Sequence, residues 1–127
     1  MAKKNEIEDV QPWFLRDSSG FLLAPELKVR DDEAIFDKIT MSAFEGTPLA
    51  IALRDCGLKS FIICGVATET GIEPIVRHGA DLGFIPILVE DACSGGHAEA
   101  AERSLASIRF LGDTMICKTA DLASAWK

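Results

Sequence analysis

No run in this chain approaches the roughly 18 consecutive apolar residues that a membrane-crossing helix needs. It has no basic surplus either: 20 acidic residues outnumber 13 basic ones, for a formal net charge of −7. A face that neutralises phosphates requires the opposite balance, so neither nucleic acid nor a membrane is an expected partner. The four cysteines, Cys56, Cys64, Cys93 and Cys117, form no CxxC and no Cys/His cluster at ligand spacing. With His78 and His97 well apart in sequence, neither a metal site nor a cofactor is expected. The opening MAKKNEIEDVQPW has lysines but no apolar stretch behind them, and so does not read as a secretory signal. Cysteines set in apolar runs such as FIICGV and TMICK are expected to act as small buried hydrophobes. A reducing cytoplasm is the expected compartment.

What is present is a hydrophobic content of 48% over 127 residues. One domain of that length can bury roughly two thirds of its unfolded surface. Residues 1–30 hold Pro12, the turn run Asp17-Ser18-Ser19-Gly20 and Pro25, and read as a lead-in segment. Trp13, Phe14 and residues 21–23 are apolar enough that part of it should pack. From residue 31 to 127 the rhythm is regular. Residues 34–39 (AIFDKI) form a short strand candidate. Thr47-Pro48 opens a helix that Gly57 ends. The continuous apolar run at 60–66 predicts a strand covered on both faces. Thr70 and Glu73 suggest a capping box for the next helix, stopped at Gly83. Residues 85–89 are a second strongly apolar strand, 97–110 a helix, 114–117 a last strand, and Asp121 a cap for a terminal helix. Strand–helix alternation of this kind predicts an α/β fold: a parallel sheet with helices on both faces.

Ligands of open α/β sheets bind beyond the carboxyl ends of the strands. Three segments are expected there: Lys38 with the loop to Phe44, residues 67–71, and residues 91–96. The loop GVATETGIEP runs straight into a helix start, where backbone N–H groups and the helix dipole can hold a carboxylate, phosphate or oxyanion. An ordinary helix-entry loop is the competing reading. Sequence-linked blocks occur in a fixed order: Lys38, Ser42-Ala43-Phe44, Gly46-Thr47-x-Leu49, Gly65 to Glu69, and Asp91-Ala92. In order and spacing they resemble the isochorismatase-like cysteine hydrolases, over roughly residues 20–120. That superfamily includes nicotinamidases, N-carbamoylsarcosine amidases and maleamate amidases.

The resemblance implies a three-layer αβα, Rossmann-like sheet and a triad of cysteine, aspartate and lysine. The thiolate attacks an amide carbon, a thioester forms, and water releases the acid. It also implies a cis Val66–Ala67 bond that helps aim N–H groups of the loop, Val66, Ala67, Thr68, Glu69 and Thr70, at an oxyanion. On that alignment Lys38 takes the lysine position and Gly71 the nucleophile position. Glycine offers no thiol. The first-strand aspartate has no counterpart, and the fold is expected to be incomplete in its N-terminal half. Cys93 is a low-ranked substitute nucleophile, which would need a base and a lowered pKa. Glu69 is expected to make a structural bond within its loop, His78 to be packed or at the surface, and Asp91 to be structural. Trp13 and Trp126 are anchors of packing or of an interface. Two functions stay open: a hydrolase of small amide or related C–N bonds with catalysis altered or lost, or a non-catalytic small-ligand-binding or assembly module. A carboxylate or amide is the expected ligand. The strand at 60–66 should expose an apolar edge, covered by residues 34–39 or by a second copy in a homo-oligomer.

Overall fold

The structure, a computed structural model, describes Arg16 and residues 18–126. Trp13 and Phe14, expected to pack, lie outside the described residues. The chain divides between Ala34 and Ile35 into two compact units. Within the first, Phe21 N–H donates to Ser18 O at 3.0 Å and the Arg16 guanidinium lies over the Phe21 ring, while Leu22 and Leu23 are exposed.

The second unit is an α/β fold with a parallel sheet. Its elements are α1 (Leu49–Asp55), β1 (Ser60–Val66), a π-helical turn (Thr68–Ile72), α2 (Glu73–Asp81), β2 (Ile85–Ser94), α3 (Ala98–Leu111), β3 (Met115–Cys117) and α4 (Thr119–Ala125). The sheet order is β1-β2-β3, with both pairs parallel. Parallel neighbours need crossovers, and α2 and α3 provide them. The buried cluster joins the first two strands to the crossover helices: Ile63 of β1, Ile72 and Val76 beside it, Leu88 of β2 and Ile108 of α3. Gly57, Gly83 and Gly112 close their helices at φ of +68°, +86° and +72°, left-handed positions that glycine takes without a Cβ clash. Thr47 Oγ1 accepts from Leu49 N–H at the start of α1, as the Thr-Pro pair suggested.

Several expectations are corrected. Residues 34–39 form no strand. A lone extended segment needs a partner to satisfy its backbone, and here Ile35 and Ile39 stand in solvent instead. β1 is not covered on both faces: Ile63 is buried, but Ile62 is 40% and Val66 76% exposed. Among the described residues β1 therefore ends the sheet, with nothing paired to its outer side. The Thr70–Glu73 capping box does not form, because the π-helical turn occupies those residues and α2 starts at Glu73 without a side-chain cap. Glu73 pairs with Arg77 one turn on, and Arg77 reaches Ser107 of α3 at 2.7 Å. β2 runs five residues beyond the predicted strand, to Ser94.

Candidate functional site

The carboxyl edge of the sheet is built where β1 and β2 end side by side. Their register is regular from Ser60↔Ile85 to Ile63↔Leu88, then slips, so that Gly65 faces Cys93 and Val66 faces Ser94. The segments leaving the two strands, 67–72 and 95–97, are thereby neighbours. Gly65 turns at φ +123° and the Val66–Ala67 peptide is cis, the bond the sequence resemblance implies. Thr68 is buried and Val66 exposed.

The turn that follows is closed on itself. Thr70, Gly71 and Ile72 all direct their N–H groups to the Ala67 carbonyl oxygen, at 3.2, 2.8 and 3.1 Å. Donors that an anion would use at Thr70 and Gly71 are thus engaged within the turn. Gly71 has no side chain, yet its place is not crowded: a Cβ there would lie 3.6 Å from Val66 O, an ordinary contact.

Glu69 is tied to the next loop as well as to its own. Its Oε1 accepts from Gly96 N–H at 2.8 Å and from His97 N–H at 3.3 Å. Its own backbone N–H, then those of Gly96 and His97, hold the carboxyl below the usual Glu range against the opposing effect of burial. Nothing in the spacing of residues 69 and 96 announces this contact. The only signal was the Gly95-Gly96 pair, which lets a side chain approach the backbone closely.

Asp91 is structural, as expected. Its Oδ1 accepts from Thr119 N–H at 2.8 Å and Thr119 Oγ1–H at 2.9 Å, so β2 carries the cap of α4. Those two bonds, the backbone one first, lower its pKa. Asp121 assists by accepting from Lys118 N–H at 2.9 Å. Cys93 is half-buried against the core, and burial first, then Cys64 and Asp91, pushes its thiol pKa up. That favours the thiol over the nucleophilic thiolate. All four cysteines are free, and the burial expected of Cys64 and Cys117 is not found: Cys64, on the uncovered face of β1, is exposed and Cys117 is half-buried.

Lys38 is exposed, and its Nζ donates to Thr40 O at 2.7 Å. The segment expected to follow it to the carboxyl edge instead packs at the other end. Phe44 stacks on Phe84, just before β2, and meets Phe61 near the start of β1 edge-on. Ser42 Oγ lies 3.0 Å from His78 Nδ1 and accepts from Phe44 N–H at 3.2 Å. His78 is therefore a packed residue, held by Ser42 and by the Phe44 ring. The sequence reading missed this pair, which 36 residues separate. His97 precedes α3 as its N-cap residue, and Trp126 is exposed. Among the described residues no three His, Cys, Asp or Glu side chains stand together as metal ligands would. No described helix is long and apolar enough to cross a membrane.

The Isochorismatase domain family matches residues 2–121. The uncharacterized isochorismatase family protein YecD of Escherichia coli O157:H7 is 35% identical over 79 residues, covering 62% of this chain and 42% of that protein. The ureidoacrylate amidohydrolase RutB of Acinetobacter baylyi is 30% identical over 94 residues, covering 72% and 38%. The crystal structure of the pyrazinamidase of Pyrococcus horikoshii in complex with zinc superimposes with a TM-score of 0.76 at 32% identity, covering 87% of this chain and 65% of that one. The chain thus spans about two fifths of the length of the curated relatives it matches. With residues 2–121 of this chain matched by the family, and the cis-bonded loop and parallel sheet in place, this chain belongs to the Isochorismatase domain family.

Proposed function

We propose that this chain keeps the family's place for a small amide or carboxylate at the carboxyl edge of the sheet, with thioester catalysis altered or lost. The observation that carries the reading is Gly71. It stands on the turn between β1 and α2 with room for a Cβ, so the missing chemistry is the thiol itself and not the backbone that would present it. Similarity to an amidohydrolase and a pyrazinamidase supports the substrate class. The raised pKa of Cys93 argues against that thiol as a replacement. The second reading, a binding or assembly module without turnover, is favoured by the same glycine.

The test is turnover of nicotinamide, pyrazinamide and ureidoacrylate, with intact mass recorded during the reaction. No burst and no covalent adduct are expected. A thioester on any of the four cysteines overturns the proposal. Binding is read separately: a small carboxylate at a hundredfold excess over its dissociation constant should stabilise the protein by about 2.7 kcal/mol. If Lys38 holds that ligand, Lys38→Met should abolish the shift and leave the unliganded melting point unchanged. Equal shifts in both proteins would remove Lys38 from the site.

A further inference from the structure

We infer that Glu69 is the positioning residue of this site: its carboxylate, carried on the turn that holds Gly71, holds the two amides that lead into α3 and so locks the two loops of the carboxyl edge together. The inference rests on the reading above that this edge takes the ligand. Three observations carry it.

First, α3 has no cap of its own. Its N-cap residue, His97, makes no side-chain bond to the first turn. A 14-residue helix leaves N–H groups and the positive end of its dipole unsatisfied there. Oε1 of Glu69 places an anion at that end, accepting from the N–H groups of Gly96 and of the N-cap residue His97, 27 and 28 residues later in the chain.

Second, the receiving loop is shaped for a carboxylate. A Cβ at Gly95 would stand 2.6 Å from Glu69 Oε2 and 2.6 Å from the Ala101 Cβ, and one at Gly96 3.3 Å from Oε1. Neither contact at Gly95 can be relieved without moving Glu69 or α3.

Third, Oε2 is sealed from solvent and has no hydrogen-bond partner. Glutamine at 69 would keep the shape and one acceptor oxygen. It would lose the charge and place an NH2 group where Oε2 meets no acceptor. The turn and the loop are thus joined by one charged group. Whatever fixes Gly96 also fixes residue 71, since Glu69 and Gly71 share the turn whose N–H groups converge on Ala67 O.

The experiment is amide NMR on the full chain, for the wild type, Glu69→Gln and Gly95→Ala. In the wild type the Gly96 and His97 amide shifts should titrate together, with a midpoint below the usual Glu range. In Glu69→Gln that titration should vanish, and hydrogen exchange at Gly96, His97 and Gly71 should rise by roughly tenfold or more. Gly95→Ala, whose Cβ would press on Glu69 Oε2 from the receiving loop while leaving the charge in place, should raise exchange at Gly71 as well. A titration that persists in Glu69→Gln, or exchange at Gly71 unmoved in both variants, overturns the inference. The wild-type titration decides the clasp even if a variant fails to fold. Nicotinate and nicotinamide serve as ligand probes: if neither binds the wild type, the reading of the site falls while the amide data still judge Glu69. If either binds, Glu69→Gln should weaken it at an unchanged number of sites.

Discussion

Gly79 of α2 lies so close to the Phe61 ring of β1 that a Cβ at residue 79 would stand 2.6 Å from both Cε1 and Cζ of the ring. The Phe44 ring closes the other side, at 3.0 Å. Phe61 and Phe44 meet edge-on with centroids 5.4 Å apart. This contact seats α2 on the amino end of the sheet, opposite the candidate site. Gly79→Ala should therefore destabilise the fold. Overpacking costs about 1–3 kcal/mol, against a helix-propensity gain of roughly 1 kcal/mol. A denaturant titration should show a lower midpoint with an unchanged slope. The double variant Gly79→Ala/Phe61→Leu should recover part of the loss, since the two sites are in contact. A more stable Gly79→Ala protein would contradict the packing.

At residue 71 the opposite outcome is expected. The nearest atom to a Cβ is Val66 O at 3.6 Å, and the backbone is not left-handed. Gly71→Cys should fold with a melting point equal to or above the wild type, since replacing glycine at a compatible site adds about 0.4–1 kcal/mol. The new thiol precedes α2, where the helix dipole favours a thiolate. Iodoacetamide at neutral pH should modify it faster than Cys93, whose pKa is raised. Peptide mapping reads the two rates, and a slower reaction at residue 71 would rule out this environment.

Most of the architecture was legible in the sequence because its signals are local. The apolar runs at 60–66 and 85–89, and the glycines at 57 and 83, need only neighbours in the chain to be read. Residues 34–39 were misread for a related reason. AIFDKI carries strand propensity, but a strand exists only through a partner, and propensity says nothing of whether one is present. The site was less legible. The position of residue 71 follows from motif order, whereas the Glu69–Gly96 bond and the Ser42–His78 pair depend on how loops fall beside one another after folding. The Thr70–Glu73 pattern satisfied a local rule that the π-helical turn then displaced.

Asp91 gives a pH prediction. Its carboxylate accepts from Thr119 N–H and Oγ1–H, and the folded pKa lies below the unfolded value near 3.9. Its stabilisation is then complete above that unfolded value and is lost as pH falls through the folded pKa. Asp91→Asn should show a flatter acid limb than the wild type and freer exchange at the first amides of α4. An acid limb identical in the two proteins would show that the capping bonds do not depend on charge.

The outer side of β1 carries the last prediction. The strand SFIICGV has no charged residue and no proline to guard it, and among the described residues nothing pairs beyond it. Ile62 and Val66 are exposed on this strand, and Ile35 and Ile39 stand in solvent in the same unit. An unguarded edge presents a row of free N–H and C=O groups, a template for another chain. A second copy would offer the same uncharged strand, and a pairing of two such edges would be self-complementary and close as a two-fold dimer. Association should therefore depend on concentration in the micromolar range. Ile62→Lys should weaken it at little cost to the monomer, because Ile62 is 40% exposed and faces away from buried Ile63. Sedimentation velocity at several concentrations reads the equilibrium, and a denaturant titration of the variant reads its fold. A compact monomer at every concentration, unfolding cooperatively and unaffected by Ile62→Lys, would mean that the three strands suffice without a partner.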